Sequence, residues 1–356
     1  MVDFYPLTVR HVRKTTADAV VVTLDPPNDQ PFPFIQGQYL TFRKAFDGEE
    51  VRRSYSICSG VDDGVIEVGI KRVEDGLFSS WANTELQAGD TLEAMSPQGR
   101  FHVPLAPLDH RNYLAFAAGS GITPVLSLIR TSLALEPHAR FTLVYANRTV
   151  SSIMFREELE DLKNQYMGRL SVIHILNQDA QGVELFKGRL DANKCDQLFD
   201  ILIDLSAVDT AFICGPEPMM HAIAEALKHR GLTKDQIKYE LFVSNPSGSR
   251  RPRQPKTNGA PDEEGPALSV SLDGTAHTVQ MKSGETLLEA ALRHEVAAPY
   301  SCRAGVCSTC ICRLTDGRAE MIQNHALEDY EVERGYVLSC QAVPTSDFIS
   351  IVYEDH

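Results

Sequence analysis

Residues 302–312 read CRAGVCSTCIC, four cysteines within eleven positions of a 356-residue chain that holds eight in all. Disulfides, zinc, a redox-active pair and an iron–sulfur cluster all use cysteine, each at its own spacing, so the surrounding sequence has to discriminate. The chain is too long for one comfortable core, and two or three domains are expected. Its 43% apolar and 23% charged residues are those of a globular protein. The start, MVDFYPLTVRHVRK, has no apolar leader core and already alternates like a strand. No run approaches the ~18 apolar residues of a membrane span. A cytoplasmic protein with reduced thiols is therefore expected, which disfavours a disulfide framework.

Cys302, Cys307 and Cys310 form C-x4-C-x2-C, and Cys340 follows in YVLSCQ after 29 intervening residues. Three ligands in one loop and a distant fourth match plant-type [2Fe–2S] spacing. Small residues, Ala304, Gly305, Ser308 and Thr309, let the loop wrap closely and leave backbone N–H groups free to face sulfur. The alternative is a four-cysteine zinc site, but structural zinc usually takes two short C-x2-4-C pairs, and here one pair accompanies a lone Cys340. Cys312 falls where a strand should leave the loop and reads as a small buried side chain.

Net charge is −14, which argues against nucleic acid because phosphate binding needs clustered Lys and Arg. From Ala267 to His356 there are 6 Lys and Arg against 13 Asp and Glu, so a quarter of the chain carries half of the excess. Such a surface is ordinarily just solvated, and it can also steer docking onto a basic partner. Residues 1–108 carry short β-rich runs (AVVVTL, QYLTF, RRSYSI, GVIEVGIK, DTLEAM) with one helical insert, LFSSWANT, and read as an antiparallel barrel or sandwich. Residues 109–243 alternate strands with amphipathic helices, the pattern of a doubly wound parallel α/β sheet. Residues 244–266, rich in Pro, Gly, Ser and charge, read as a linker. Residues 267–356 form a compact unit around the cysteine loop.

AAGSGITPVLSL sets Gly119 and Gly121 at a strand end, followed by Thr123 and by Pro124 at a helix start. Such a turn admits a pyrophosphate to helix N–H groups, although alone it is also an ordinary strand–helix turn. In YANRTVSS, Asn147 and Arg148 are placed to meet an adenosine ribose. An arginine there suits a 2′-phosphate, favouring NADPH over NADH. Arg156 is a second candidate or an exposed helix charge. FICGPEP puts Cys214 at a strand tip before Gly215 and Pro216, a soft neutral thiol suited to a nicotinamide or else a buried structural cysteine. In RRSYSIC, Arg53 can neutralise a phosphate, Tyr55 can stack on a ring and Ser56 can hydrogen-bond a ring nitrogen, with Ser54 between them. Gly76 precedes a helix whose first residues, Phe78, Ser79 and Ser80, offer N–H groups to a second pyrophosphate.

In this order the motifs R-x-Y-S, G-x-x-S, G-x-G-x-x-P, C-G-P and a terminal plant-type ferredoxin pattern resemble the ferredoxin–NADP⁺ reductase superfamily, over nearly the whole chain except the linker. The resemblance implies an FAD-binding barrel, an NADP-binding α/β domain and a β-grasp [2Fe–2S] ferredoxin domain. It places Arg53, Ser54, Tyr55 and Ser56 on the flavin, Ser56 near N5, with Ile70, Lys71 and Arg72 lining it and Phe78 to Ser80 on the pyrophosphate. It places Gly119 to Pro124, Asn147, Arg148 and Cys214 to Pro216 on NADPH. Glu240 and Phe242, in KYELFVS, match the segment that closes over the flavin ring. Ser56, Cys214 and Glu240 are the residues expected to orient donor and flavin. One departure is FIQGQY, where Gln36 stands in place of a common proline before Gly37.

The implied order, NADPH to FAD to [2Fe–2S] to an external acceptor, converts a two-electron donor into a one-electron one. Within the superfamily the motifs resemble most the reductases that serve the di-iron oxygenase acting on phenylacetyl-CoA. Reductases of Rieske-type oxygenases, including steroid hydroxylases, are the alternative. An electron carrier without NADPH chemistry is a third reading, opposed by Arg148 and the intact glycine turn.

Overall fold

The run AVVVTLD, six of whose seven residues are buried, becomes the second strand of an antiparallel sheet in the computed structural model, which describes residues 3–26, 32–178, 182–242 and 264–354. The elements of this part of the chain are β1 (Tyr5–Thr16), β2 (Ala19–Asp25), β3 (Tyr39–Phe46), β4 (Glu49–Ser56), β5 (Ile66–Lys71), α1 (Leu77–Thr84) and β6 (Thr91–Ala94). The strand order is β4-β3-β6-β1-β2-β5, and Ile57, just past β4, bridges Val68 in β5, so the two edges meet and the sheet closes as a barrel. Leu40, Phe42 and Ile70 fill it. α1 buries Phe78, Ser79 and Ala82 on the face turned to the barrel. Phe78 stacks on Phe42 at 6.2 Å and meets Trp81 edge-on at 5.5 Å.

The parallel sheet follows: β7 (Asn112–Ala118), α2 (Ile122–Leu135), β8 (Arg140–Asn147), α3 (Arg156–Gln165), β9 (Leu170–Leu176), α4 (Ala192–Ile201), β10 (Thr210–Gly215), α5 (Glu217–His229) and β11 (Ile237–Leu241). Its order, β11-β10-β7-β8-β9, puts the chain reversal between β7 and β10, so the C-terminal ends of β7, β8 and β10 border one crevice. The β7 run NYLAFAA is buried from Tyr113 to Ala117, as a strand covered by helices on both faces must be.

The last strands and helices are β12 (Glu264–Leu272), β13 (Thr275–Lys282), α6 (Leu287–Arg293), β14 (Ile311–Asp316), β15 (Ala319–Met321), α7 (Asp329–Glu333), β16 (Tyr336–Leu338), β17 (Ala342–Pro344) and β18 (Phe348–Val352). They form a β13-β12-β18-β14-β16 sheet, with β12 parallel to β18, plus a β15–β17 pair. Thr286 caps α6, and Leu287, Leu288, Ala290 and Ala291 bury its inner face, giving a β-grasp arrangement. Residues 244–263 of the expected linker lie outside the described residues. Its last three residues are corrected: Glu264 pairs with Lys282 across a bulge, so 264–266 already belong to β12. Among the described residues no helix is long and apolar enough to cross a membrane.

The described sheets fall into two compact units, the barrel and parallel sheet in one and the β-grasp sheet in the other. Inside the first unit the barrel is fastened to the parallel sheet. Arg130 on α2 meets Asp63 at 2.9 Å, Val61 N–H donates to Thr131 Oγ1 at 3.1 Å, and the Phe155 N–H donates to Thr15 Oγ1 at 2.8 Å. Gln36, the departure noted in the sequence, is buried and donates to the Val103 carbonyl at 3.1 Å. Asp63 also accepts from the Gly60 N–H, so Asp63→Ala strands both that donor and the half-buried Arg130. The expected cost is ~1–3 kcal/mol, seen by calorimetry as a fall of ~2–10 °C in Tm; an unchanged Tm would show the pair to be idle.

Candidate functional site

Three residues singled out from the sequence converge where the barrel meets the parallel sheet. Ser56 ends β4, and its hydroxyl donates to Glu240 Oε2 on β11 at 3.4 Å. Glu240 is registered directly beside Cys214 on β10. Cys214 is fully buried, and its thiol is pushed well up, first by that burial and then by the nearby Glu240 charge, so it is neutral. β4 alternates: Arg53 and Tyr55 share one face, Ser54 and Ser56 the other. Tyr55 lies against Phe78 at 5.6 Å and Phe42 at 6.2 Å. The Arg53 guanidinium donates to its neighbour's carbonyl.

The glycine turn sits beside this cluster. Gly119 holds φ +54°, and a Cβ at Gly121 would lie 2.2 Å from the Cys214 carbonyl, so only glycine lets the turn approach β10 so closely. The Thr123 hydroxyl is committed to the Ser120 carbonyl at 3.0 Å, and Pro124 is buried in α2. Gly215 is buried and Pro216 exposed as the cap of α5. Asn147 Nδ2 is buried without a hydrogen bond, a donor left open beside the turn. Arg148 and Arg156 are exposed, and Phe242 packs partly buried against the core of the parallel sheet.

Other expected residues face differently. The side chains of Ile70 and Phe78 are barrel core, 0% and 1% exposed, so only their backbone is available to a ligand. Lys71 pairs with Asp18 at 3.6 Å, and Arg72 is exposed. Ser79 is buried, its hydroxyl bridging Val73 N–H and the Gly76 carbonyl. The α1 N-terminus suits a pyrophosphate by its backbone: Gly76 supplies no side-chain cap, and Leu77, Phe78 and Ser79 begin the helix. Gly69 was not singled out. A Cβ there would fall 2.6 Å from Thr123, so this glycine lets the barrel touch the glycine turn; its signal was a glycine inside a strand.

In the β-grasp unit the four predicted thiols fall into two pairs. Cys307 lies against Cys302, which is held below the usual thiol range by that contact while Cys307 is pushed well up by it and by burial. Cys310 and Cys340 form the second pair, Cys340 lowered by its bond from Cys310. Backbone donors converge on these sulfurs: Ala304 N–H reaches Cys302 at 3.3 Å, Val306 N–H also faces Cys302, and Gly305 N–H faces Cys340. Arg303, Gly305 and Ser308 take positive φ (53°, 75°, 55°) to turn those amides inward. Among the described residues no three His, Cys, Asp or Glu converge as for one metal ion, whereas two thiol pairs suit a cluster of two irons. Cys312 lies on β14, 1% exposed, its thiol bonded to the Val337 carbonyl at 3.7 Å and pushed up by burial.

A closed barrel, a doubly wound sheet with a glycine turn and a β-grasp thiol loop define a modular electron-transfer oxidoreductase. Family models match in the same order: an oxidoreductase FAD-binding domain over residues 6–103, an oxidoreductase NAD-binding domain over 116–225 and a 2Fe-2S iron-sulfur cluster binding domain over 270–345. The chain is 43% identical to the E component of 1,2-phenylacetyl-CoA epoxidase from Escherichia coli (strain K12), covering 98% of each. It is 34% identical to the ferredoxin reductase component of 3-ketosteroid-9-alpha-monooxygenase from Rhodococcus rhodochrous, covering 98% of this chain and 96% of that one. Phthalate dioxygenase reductase shares the fold, with a TM-score of 0.61 and 22% identity over 98% of each chain. The chain belongs to the ferredoxin–NADP⁺ reductase superfamily. It is a reductase component of an oxygenase system, an NAD(P)H-dependent oxidoreductase with FAD, NAD and [2Fe–2S] domains.

The thiol pairing sets an expectation. Replacing Cys302, Cys307, Cys310 or Cys340 by Ser should each abolish the visible absorbance of the cluster, while Cys312→Ser retains it. Loss in Cys312→Ser with retention in Cys302→Ser would reverse the assignment.

Proposed function

We propose that this reductase draws electrons from NADPH and delivers them to a di-iron phenylacetyl-CoA epoxidase, in the cytoplasm. The observation that carries the acceptor is the 43% identity, over 98% of both chains, to the E component of the epoxidase, against 34% to the ketosteroid reductase. When bound, nicotinamide, flavin and cluster supply the conversion of one hydride into two single-electron steps.

The protein's part is position and charge. Arg53 neutralises a flavin phosphate, Tyr55 and the backbone of Ser54 and of Ile70 to Arg72 border the ring, and the α1 start from Gly76 to Ser80 takes the pyrophosphate. Gly119 to Pro124 receives the pyrophosphate of the nicotinamide nucleotide, with Gly215 and Pro216 beside it and Phe242 covering the flavin. Cys214, kept neutral, offers a soft uncharged surface to the nicotinamide. The Ser56 hydroxyl lies beside flavin N5 with its proton on Glu240, and that 3.4 Å contact supports Ser56 and Glu240 acting as one unit at the ring. Cys302, Cys307, Cys310 and Cys340 hold the cluster.

Arg148 is exposed and, among the described residues, makes no ion pair, which supports its reading as the partner of the adenosine 2′-phosphate. A charge-assisted bond of that kind is worth ~1.5–3 kcal/mol, roughly a tenfold to hundredfold preference. Arg148→Ala should raise KM for NADPH by that factor and leave KM for NADH nearly unchanged; an equal rise in both would make the residue structural. The acceptor is tested by mixing the purified reductase and NADPH with a phenylacetyl-CoA epoxidase or with a 3-ketosteroid hydroxylase. Product should appear only with the former. Turnover with the steroid enzyme alone would transfer the chain to the alternative.

A further inference from the structure

Tyr145 lies two residues before the end of β8 and is fully buried in the parallel sheet, yet its hydroxyl is not idle. It donates to the Gly119 carbonyl at 2.9 Å, inside the glycine turn where the backbone is left-handed. The Met154 N–H and the Asn147 carboxamide lie alongside it. Asn147 Nδ2 is buried there with no hydrogen bond of its own.

Met154 precedes Phe155, a buried aromatic residue at φ +57°. A bulky side chain in that region is strained and persists only where its surroundings over-determine it. Here they do. The Phe155 N–H is held by Thr15 of the barrel at 2.8 Å, and its ring closes on Gly69, where a Cβ would stand 3.1 Å away. Arg13 of the barrel pairs with Glu158, in the first turn of α3, at 2.6 Å. The arm from Asn147 to Arg156 is thus tied at its far end to the barrel, and its Met154 lies against the Tyr145 oxygen. The glycine turn is tied to that same oxygen.

We propose that Tyr145 is a positioning residue for the dinucleotide, its single buried hydroxyl locking the glycine turn to the 147–156 arm so that both meet the cofactor in one geometry. Tyr145→Phe keeps the ring and its packing and removes the oxygen, leaving the Gly119 carbonyl without its donor and Met154 and Asn147 without the oxygen they lie against. The Tyr145 side chain is fully buried, so the effect reaches the cofactor only through the two segments.

The inference concerns the pyrophosphate-bearing part common to NADH and NADPH, and so it stands apart from the reading of Arg148. In the full-length flavin- and cluster-loaded protein, with ferricyanide as acceptor, Tyr145→Phe should raise KM for NADH and for NADPH by the same factor, about tenfold. The kcat at saturation and the flavin content should match those of the parent. Hydrogen-exchange mass spectrometry on the same variant should show faster exchange in both 119–124 and 150–156, with β10 unchanged. Unaltered KM values, a fall in kcat together with flavin loss, or faster exchange in only one of the two segments would overturn the proposal. A rise confined to NADPH would also overturn it, because it would assign the effect to the 2′-phosphate end alone.

Discussion

A hydride passes only between atoms in near contact, about 3–3.5 Å apart. A barrel that holds the acceptor and a parallel sheet that holds the donor must therefore behave as one rigid piece. The fastenings found here serve that constraint. Asp63 grips Arg130, Thr15 grips the backbone of Phe155, and Gly69 gives up its side chain so that Thr123 can lie against the barrel wall. Ser56 and Glu240 meet at the centre of this seam, one from each sheet. Polar contacts from both elements thus cross the junction alongside its apolar packing.

A second regularity joins the three cofactor regions. In the segments expected to take the cofactors, backbone groups are open while the side chains turn inward. Ile70 and Phe78 are core residues of the barrel, Thr123 caps its own turn, and the thiol loop aims the amides of Ala304, Gly305 and Val306 at sulfur. Backbone donors are rigid and carry no net charge, so they stabilise phosphate or thiolate without burying a cation that would need its own partner. The Cys302–Cys307 and Cys310–Cys340 pairs show the same economy: one member of each pair is lowered by contact with the other.

Much of this was legible in the sequence because spacing encodes it. The stretch LFSSWANT became α1 residue for residue, and C-x4-C-x2-C with Cys340 placed four thiols in two pairs while Cys312 turned into the core of its strand. Glu240 and Phe242 entered only by resemblance, since nothing local marks KYELFVS as facing a flavin. Side-chain direction was not legible. Phe78 and Ile70 were expected to line a ligand, yet their side chains point into the barrel, and a strand or a helix start read alone does not reveal which face the core will take. Tyr145 and Thr15 were invisible for a different reason: their partners lie in other elements, and a hydroxyl buried in an apolar run reads as packing until the fold supplies the acceptor.

The start of α1 has a consequence for the protein as a thermodynamic object. Gly76 gives the helix no side-chain cap, so its first N–H groups rely on water or on an anion. A phosphate-bearing ligand that satisfies them binds the folded state and not the unfolded chain, and such linkage adds about 2.7 kcal/mol at a hundredfold excess over Kd. The apparent stability of the barrel is then partly a function of flavin concentration. A folded chain loaded with such a ligand opens less often than an empty one, and fewer openings leave fewer chances for proteolysis.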